Sequence, residues 1–151
     1  MKLVIASDHA GFYHKEALFG QIKEQGYDIT DLGTRNPELP DDYPDYAARV
    51  AEAILNNQAD RGIIICGSGV GVSIAVNKFK GVRAGVCHDT YSAHQCVEHD
   101  DANVLCIGER VVGIELAREI VFSFIKAVFS NEERHVRRLN KIIRMEEDNM
   151  K

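Results

Sequence analysis

Short unbroken apolar runs alternate along this chain with stretches in which apolar residues recur every three or four positions. Leu3-Val4-Ile5-Ala6 is one such run, the pattern of a strand covered on both faces. From Phe12 to Gln25 the spacing becomes helical, with Leu18 and Ile22 on one face and Gly26 just beyond the C-terminus. Tyr27-Asp28-Ile29-Thr30 is a weaker strand, and a polar loop carrying Pro37 and Pro40 runs from Asp31 to Tyr43. Pro44 suits the first turn of a helix, where its missing N–H is not needed. Ala47, Val50, Ala51, Ile54 and Leu55 then form that helix's apolar stripe.

Gly62-Ile63-Ile64-Ile65-Cys66 predicts a second buried strand, and a glycine-rich turn and a helix through Asn77 follow it. Further on come a strand over Arg83 to Cys87, a helix from Thr90 and a strand over Asn103 to Ile107. The helix after Gly113 would face Ala117, Ile120, Val121, Phe124, Ile125 and Val128 inward. This alternation predicts an α/β fold: a single three-layer αβα domain on a five-stranded parallel sheet, Rossmann-like in plan. The last segment, about residues 132–148, differs in being highly charged, with a narrow stripe at Val136, Leu139 and Ile143. Such a terminal helix suits docking on a second subunit or lying over its own domain.

With 151 residues, the chain fits one domain and one core. Its 45% hydrophobic content and net charge of -5 exclude intrinsic disorder. The excess of 23 acidic over 18 basic side chains argues against a nucleic-acid protein, whose footprint is basic. The longest apolar stretch, Ile120 to Phe129, is broken by Ser123 and Lys126 and is too short to span a bilayer. Cys66, Cys87, Cys96 and Cys106 are dispersed, and Ser7-Asp8-His9 ends the first apolar run too early for a signal peptide; reduced thiols in a cytoplasm are expected.

Ligands of parallel sheets bind at the carboxyl ends of the strands. Three polar clusters fall there: Ser7-Asp8-His9-Ala10-Gly11, Cys66-Gly67-Ser68-Gly69-Val70-Gly71, and Cys87-His88-Asp89-Thr90. In the second, Gly67, Gly69 and Gly71 allow a tight turn whose main-chain N–H groups converge on an anion. The turn lacks the Lys-[Ser/Thr] of a nucleotide-binding P-loop and the spacing of a dinucleotide fold. Cys66 stands at its mouth, where a nearby helix N-terminus favours the thiolate, a usable base or nucleophile. Cys87, Cys96 and Cys106 lack such a nest and are expected to fill space.

His9 beside Asp8 reads as a functional pair, whereas His14 and His94 read as helix-surface residues. His99, before Asp100 and Asp101, could act as a general acid or base or simply be solvated. No Cys-x-x-Cys or His-x-x-x-His pair anchors a metal site around His88, Cys96 and His99. Arg134 and Arg138 share a helix face. Two guanidinium groups so placed can clamp a phosphate, but taken alone they fit a solvated basic face.

Together these motifs resemble the ribose-5-phosphate isomerase B family, with its allose- and galactose-phosphate isomerase relatives. The resemblance runs from Lys2 to about Met145. It is carried by Ser7–Gly11, Asp42-Tyr43-Pro44, Cys66–Gly71, Ala75–Phe79, Tyr91-Ser92-Ala93, Asn103-Val104-Leu105, Gly108–Gly113, Arg134-His135 and Arg138. It implies an aldose–ketose isomerase of a sugar phosphate, working without metal or organic cofactor. By that likeness Cys66 matches the base, while Gly67, Ser68, Gly69, Val70 and Gly71 match the nest for an enediolate. Asp8 and His99 match residues of ring opening and proton traffic, and His9, Arg110, Arg134 and Arg138 match phosphate ligands. Tyr43 matches an aromatic lining the pocket.

The resemblance also implies homodimers with sites shared between subunits; pairing of dimers into tetramers stays open. Val72 after the nest, in place of a glutamate, matches the cysteine branch of the family. Asp100 stands where members usually carry Asn, which bears on the preferred sugar rather than on the reaction. Ribose 5-phosphate is the leading substrate, with a six-carbon sugar phosphate as the alternative. A non-catalytic sugar-phosphate-binding module would keep the arginines and the nest but have no use for the thiol.

Overall fold

A computed structural model describes residues 1–150. Five strands, β1 (Lys2–Ser7), β2 (Asp28–Asp31), β3 (Arg61–Cys66), β4 (Ala84–Val86) and β5 (Val104–Gly108), form one sheet in the order β2-β1-β3-β5-β4. Every pairing is parallel. The helices are α1 (Phe12–Glu24), α2 (Tyr43–Leu55), α3 (Val70–Val76), α4 (Thr90–Asp100), α5 (Ile114–Lys126) and α6 (Glu133–Asn149). A single 3-10 turn, His9–Gly11, joins β1 to α1.

Strand alternation explains the layers. Leu3, Ile5, Ile63, Ile65, Leu105 and Ile107 point to the face covered by α1, α4 and α5. Val4, Ala6, Ile64, Cys66, Val104 and Cys106 point to the opposite face, under α2 and α3. Because both faces are covered, the central strands read as continuous apolar runs instead of alternating ones. The expected three-layer sheet is therefore the one observed. The outer strand β4 is shorter than the Arg83 to Cys87 run suggests.

Two local expectations are corrected. Val128 does not face inward but is 73% exposed. Arg61, at the start of β3, donates to the carbonyls of Phe124, Ile125 and Ala127, so the last carbonyls of α5 end on a guanidinium. The chain leaves the helix at Ala127 in an extended conformation, carrying Val128 outward. His14 is no surface residue: its main-chain N–H donates to Glu109 and its Nε2 to the Val112 carbonyl at 2.8 Å, tying α1 to the segment after β5. His94 does stay on the surface, beside Glu98.

On α6, Leu139 and His135 are buried while Val136 and Ile143 are only partly so. The helix rests on its own domain, with His135 stacked on His99 of α4 and Glu146 accepting the Gly81 N–H. Among the described residues, no helix is long and apolar enough to cross a membrane.

Candidate active site

The chain steps from β1 to β2 in one direction and then returns to place β3 on the other side of β1. Loops leaving β1 and β3 diverge at that reversal and leave a crevice over the strands' carboxyl ends. A cleft of about 480 Å³ lies there, lined by Asp8, His9, Tyr43, Cys66, Gly67, Ser68, Gly71 and Arg110 among others. Residues from the ends of β1, β3 and β5 and the start of α2 thus meet across long sequence separations.

Cys66 ends β3, is 5% exposed and lines the cleft. The Gly69 N–H donates to Sγ at 3.0 Å. Gly69 reaches that position at φ +80°, a left-handed conformation costing an L-residue about 1–2 kcal/mol. The Val70 N–H is taken by Ser68 Oγ at 3.3 Å. Among the described residues, the Gly67, Ser68 and Gly71 N–H groups meet no protein acceptor, and all three residues line the cleft. The part of the expected amide nest available to a ligand is therefore these three groups.

The walls are held by close approach. A Cβ on Gly71 would lie 2.8 Å from the Tyr43 ring, so the aromatic side chain rests directly on the turn. A Cβ on Gly67 would lie 3.3 Å from Arg110 Nη1, which places the guanidinium over the turn's first residue. The Arg110 N–H in turn donates to the Gly67 carbonyl at 3.1 Å, locking the two loops together.

Asp8 caps the 3-10 turn, its Oδ1 accepting the Ala10 and Gly11 N–H groups. Burial pushes its carboxyl above the ordinary value of 3.8 and the Asp41 charge adds to this, while His9 and the two N–H groups pull the other way. Asp41 behaves oppositely. Partial burial would raise it, but donation from the His9 N–H, the His9 ring and the Tyr46 hydroxyl holds it below the usual carboxylate range. The ligand atoms of Asp8, His9 and Asp41 all lie within 4.8 Å of one another. Hydrogen bonds among His9, Asp41 and neighbouring N–H groups already account for that grouping.

His99, Asp100, Arg134 and Arg138 do not line this cleft. His99 stacks on His135 at 4.0 Å between ring centroids, and His135 Nδ1 meets Ser130 Oγ at 2.6 Å. Burial, with His99 and Arg134 nearby, pushes His135 below its ordinary value. Asp100 borders a separate groove against the end of α6. Arg134 is exposed and pairs with Glu132, while Arg138 makes no ion pair among the described residues.

Nor does the cluster after β4 reach the cleft. Asp89 caps α4 by accepting from Ser92, and His88 Nε2 accepts the Gly108 N–H at 2.9 Å. Cys87 and Cys106 are buried as expected, and burial raises the Cys106 thiol. The residue that sequence reasoning missed is Asp41. It sits in a proline-bounded loop among Asp42 and Asp45, and nothing local distinguishes it from them.

Residues 3–142 match the family model described as Ribose/Galactose Isomerase. Ribose-5-phosphate isomerase B of Escherichia coli is 44% identical over 97% of each chain. D-erythrulose-4-phosphate isomerase 2 of Mycolicibacterium smegmatis is 40% identical over 94% of this chain and 95% of its own. Among solved structures, ribose-5-phosphate isomerase B of Clostridium thermocellum superposes with a TM-score of 0.94 at 47% identity, covering 98% of this chain and 99% of that one.

Proposed function

This chain belongs to the ribose/galactose isomerase family of sugar-phosphate aldose–ketose isomerases, and from that premise we propose that it interconverts ribose 5-phosphate and ribulose 5-phosphate with Cys66 as the base. The observation that carries this reading is Cys66 lining the cleft, its sulfur accepting a main-chain N–H beside three unpaired amides.

Isomerisation moves a proton between C1 and C2 and a carbonyl the other way. The open-chain aldose lies with C2 against Sγ. The thiolate takes the C2 proton, and the electron pair left behind forms the C1–C2 double bond of an enediolate. Negative charge collects on the former carbonyl oxygen, where donors fixed in advance lower the barrier most. The Gly67, Ser68 and Gly71 N–H groups are those donors. A proton then passes from the C2 hydroxyl to the C1 oxygen, the thiol returns its proton to C1, and the C2 oxygen becomes the ketone.

The furanose must first open, which requires a proton delivered to the ring oxygen and one removed from the C1 hydroxyl. Asp8, held above the ordinary carboxylate range, serves one end of the ring and His99 of the partner subunit the other. The phosphate is bound by His9 and Arg110, with Arg134 and Arg138 of the partner subunit. Binding energy from this remote group holds the reacting carbons over sulfur. This reading calls for a homodimer, since the His99 and arginine pair of one chain do not line its own cleft.

Steady-state turnover of ribose 5-phosphate by Cys66→Ala tests the reading. A positioned base contributes about 10²–10⁴-fold, and turnover falls by that factor with the fold intact. Full turnover would contradict it. Assayed in parallel, ribose 5-phosphate should surpass allose 6-phosphate and D-erythrulose 4-phosphate in kcat/KM; the reverse order would overturn the substrate while leaving the reaction class.

A further inference from the structure

Asp41 lies 32 residues from His9 in sequence and meets it twice. Its Oδ1 accepts the His9 main-chain N–H at 3.0 Å and stands 2.6 Å from the ring Nδ1. Its Oδ2 accepts the Tyr46 hydroxyl at 2.8 Å. Tyr46 is a buried residue of α2, so the carboxylate is anchored to that helix rather than to its own loop. The other ring nitrogen, Nε2, has no protein partner among the described residues, and His9 lines the cleft.

An ionised carboxylate only accepts, so the hydrogen between the two side chains belongs to Nδ1. The bond made by one ring nitrogen fixes the state of the other. A neutral His9 held this way presents a bare lone pair on Nε2. A phosphate dianion also offers only acceptors, and a bond to it needs a second proton on the ring. That proton comes from water or from the monoanionic phosphate itself, and the Asp41 charge behind the ring compensates the imidazolium so formed.

We propose that Asp41 is a positioning residue for phosphate binding, which orients the His9 ring between itself and the ligand and supplies the countercharge that lets Nε2 donate. The inference rests on the assignment of the cleft to a sugar phosphate and adds to it a residue that makes no contact with the ligand.

The test is a double-mutant cycle on the full-length protein, read by calorimetric titration with inorganic phosphate and by steady-state kinetics. Asp41→Ala weakens phosphate binding about tenfold to a hundredfold, the cost of removing a carboxylate behind a ligating histidine. It raises KM for ribose 5-phosphate more than it lowers kcat. His9→Ala does the same, and adding Asp41→Ala to His9→Ala costs nothing more, because the carboxylate then has no ring to act through. Asp41→Asn keeps one oxygen for the ring but not the charge, and falls between wild type and Asp41→Ala. Nitrogen-15 spectra of the wild type show Nδ1 protonated in the free protein, and both ring nitrogens protonated once phosphate is bound.

Additive losses in the cycle, or an unprotonated Nδ1, would overturn the role of Asp41. A wild type that neither binds phosphate nor turns over ribose 5-phosphate would instead overturn the substrate assignment beneath it.

Discussion

In the proposed mechanism Asp8 serves chemistry at the expense of the fold. Its carboxyl stands above 3.8, chiefly because it is buried. A group whose folded pKa exceeds its unfolded one favours the fold fully below the unfolded value and loses that contribution as pH rises through the folded value. At neutral pH the Asp8 charge therefore opposes folding. Asp8→Asn keeps an oxygen for the Ala10 and Gly11 N–H groups and removes the buried charge. The variant should melt at a higher temperature than wild type at pH 7, with the gap closing below pH 3.8, while turnover falls about 10²–10⁴-fold. A lower melting temperature at pH 7 would contradict the burial argument.

At this scale the sequence was informative where a residue's neighbours are local. Cys66 beside its glycines and Asp8 beside His9 could be read directly. Asp41 could not, since its meaning comes from a ring 32 positions away. His14 looked like a surface residue for the same reason: Glu109 and Val112 reach it from the segment after β5.

Among the elements, β1, β3 and β5 were legible because strands buried on both faces leave continuous apolar runs. The end of α5 was not, because Arg61, which receives its last carbonyls, arrives from another strand. The same non-local packing decides which loop completes the site. The segment after β4 looked suitable, yet β5 lies between β4 and β3, and the loop after β5 enters the cleft instead. Gly108 marks that junction: a Cβ there would stand 2.6 Å from the Ser68 carbonyl carbon, which as backbone has little freedom to yield. Gly108→Ala should cost about 1–3 kcal/mol by overpacking and lower kcat about a hundredfold by shifting the turn. Gly20→Ala is the control. It meets nothing within 4 Å on an intact helix, and should gain about 1 kcal/mol with turnover unchanged. Equal effects from the two glycines, read by denaturant midpoint and kcat, would sink the idea that β5 positions the turn.

The whole molecule raises the question of how the separated parts of the proposed site would meet. Cys66 and Arg110 share a cleft, whereas His99, Arg134 and Arg138 belong to the α4–α6 side of the same chain. If two chains share sites, mixing Cys66→Ala with Arg138→Ala subunits leaves one intact site in each hybrid dimer. Each variant alone is then nearly inactive, and an equal mixture after subunit exchange regains about a quarter of wild-type turnover. A mixture no more active than the mean of its components would show that each chain completes its own site.

The account depends above all on sulfur moving a proton between two carbons. Ribose 5-phosphate incubated with the wild type in deuterium oxide should gain deuterium at C2, and the ribulose 5-phosphate formed should carry it at C1. Cys66→Ala, folded and still binding phosphate, should give neither label above the uncatalysed background. Label entering at the wild-type rate without the thiol would contradict the account.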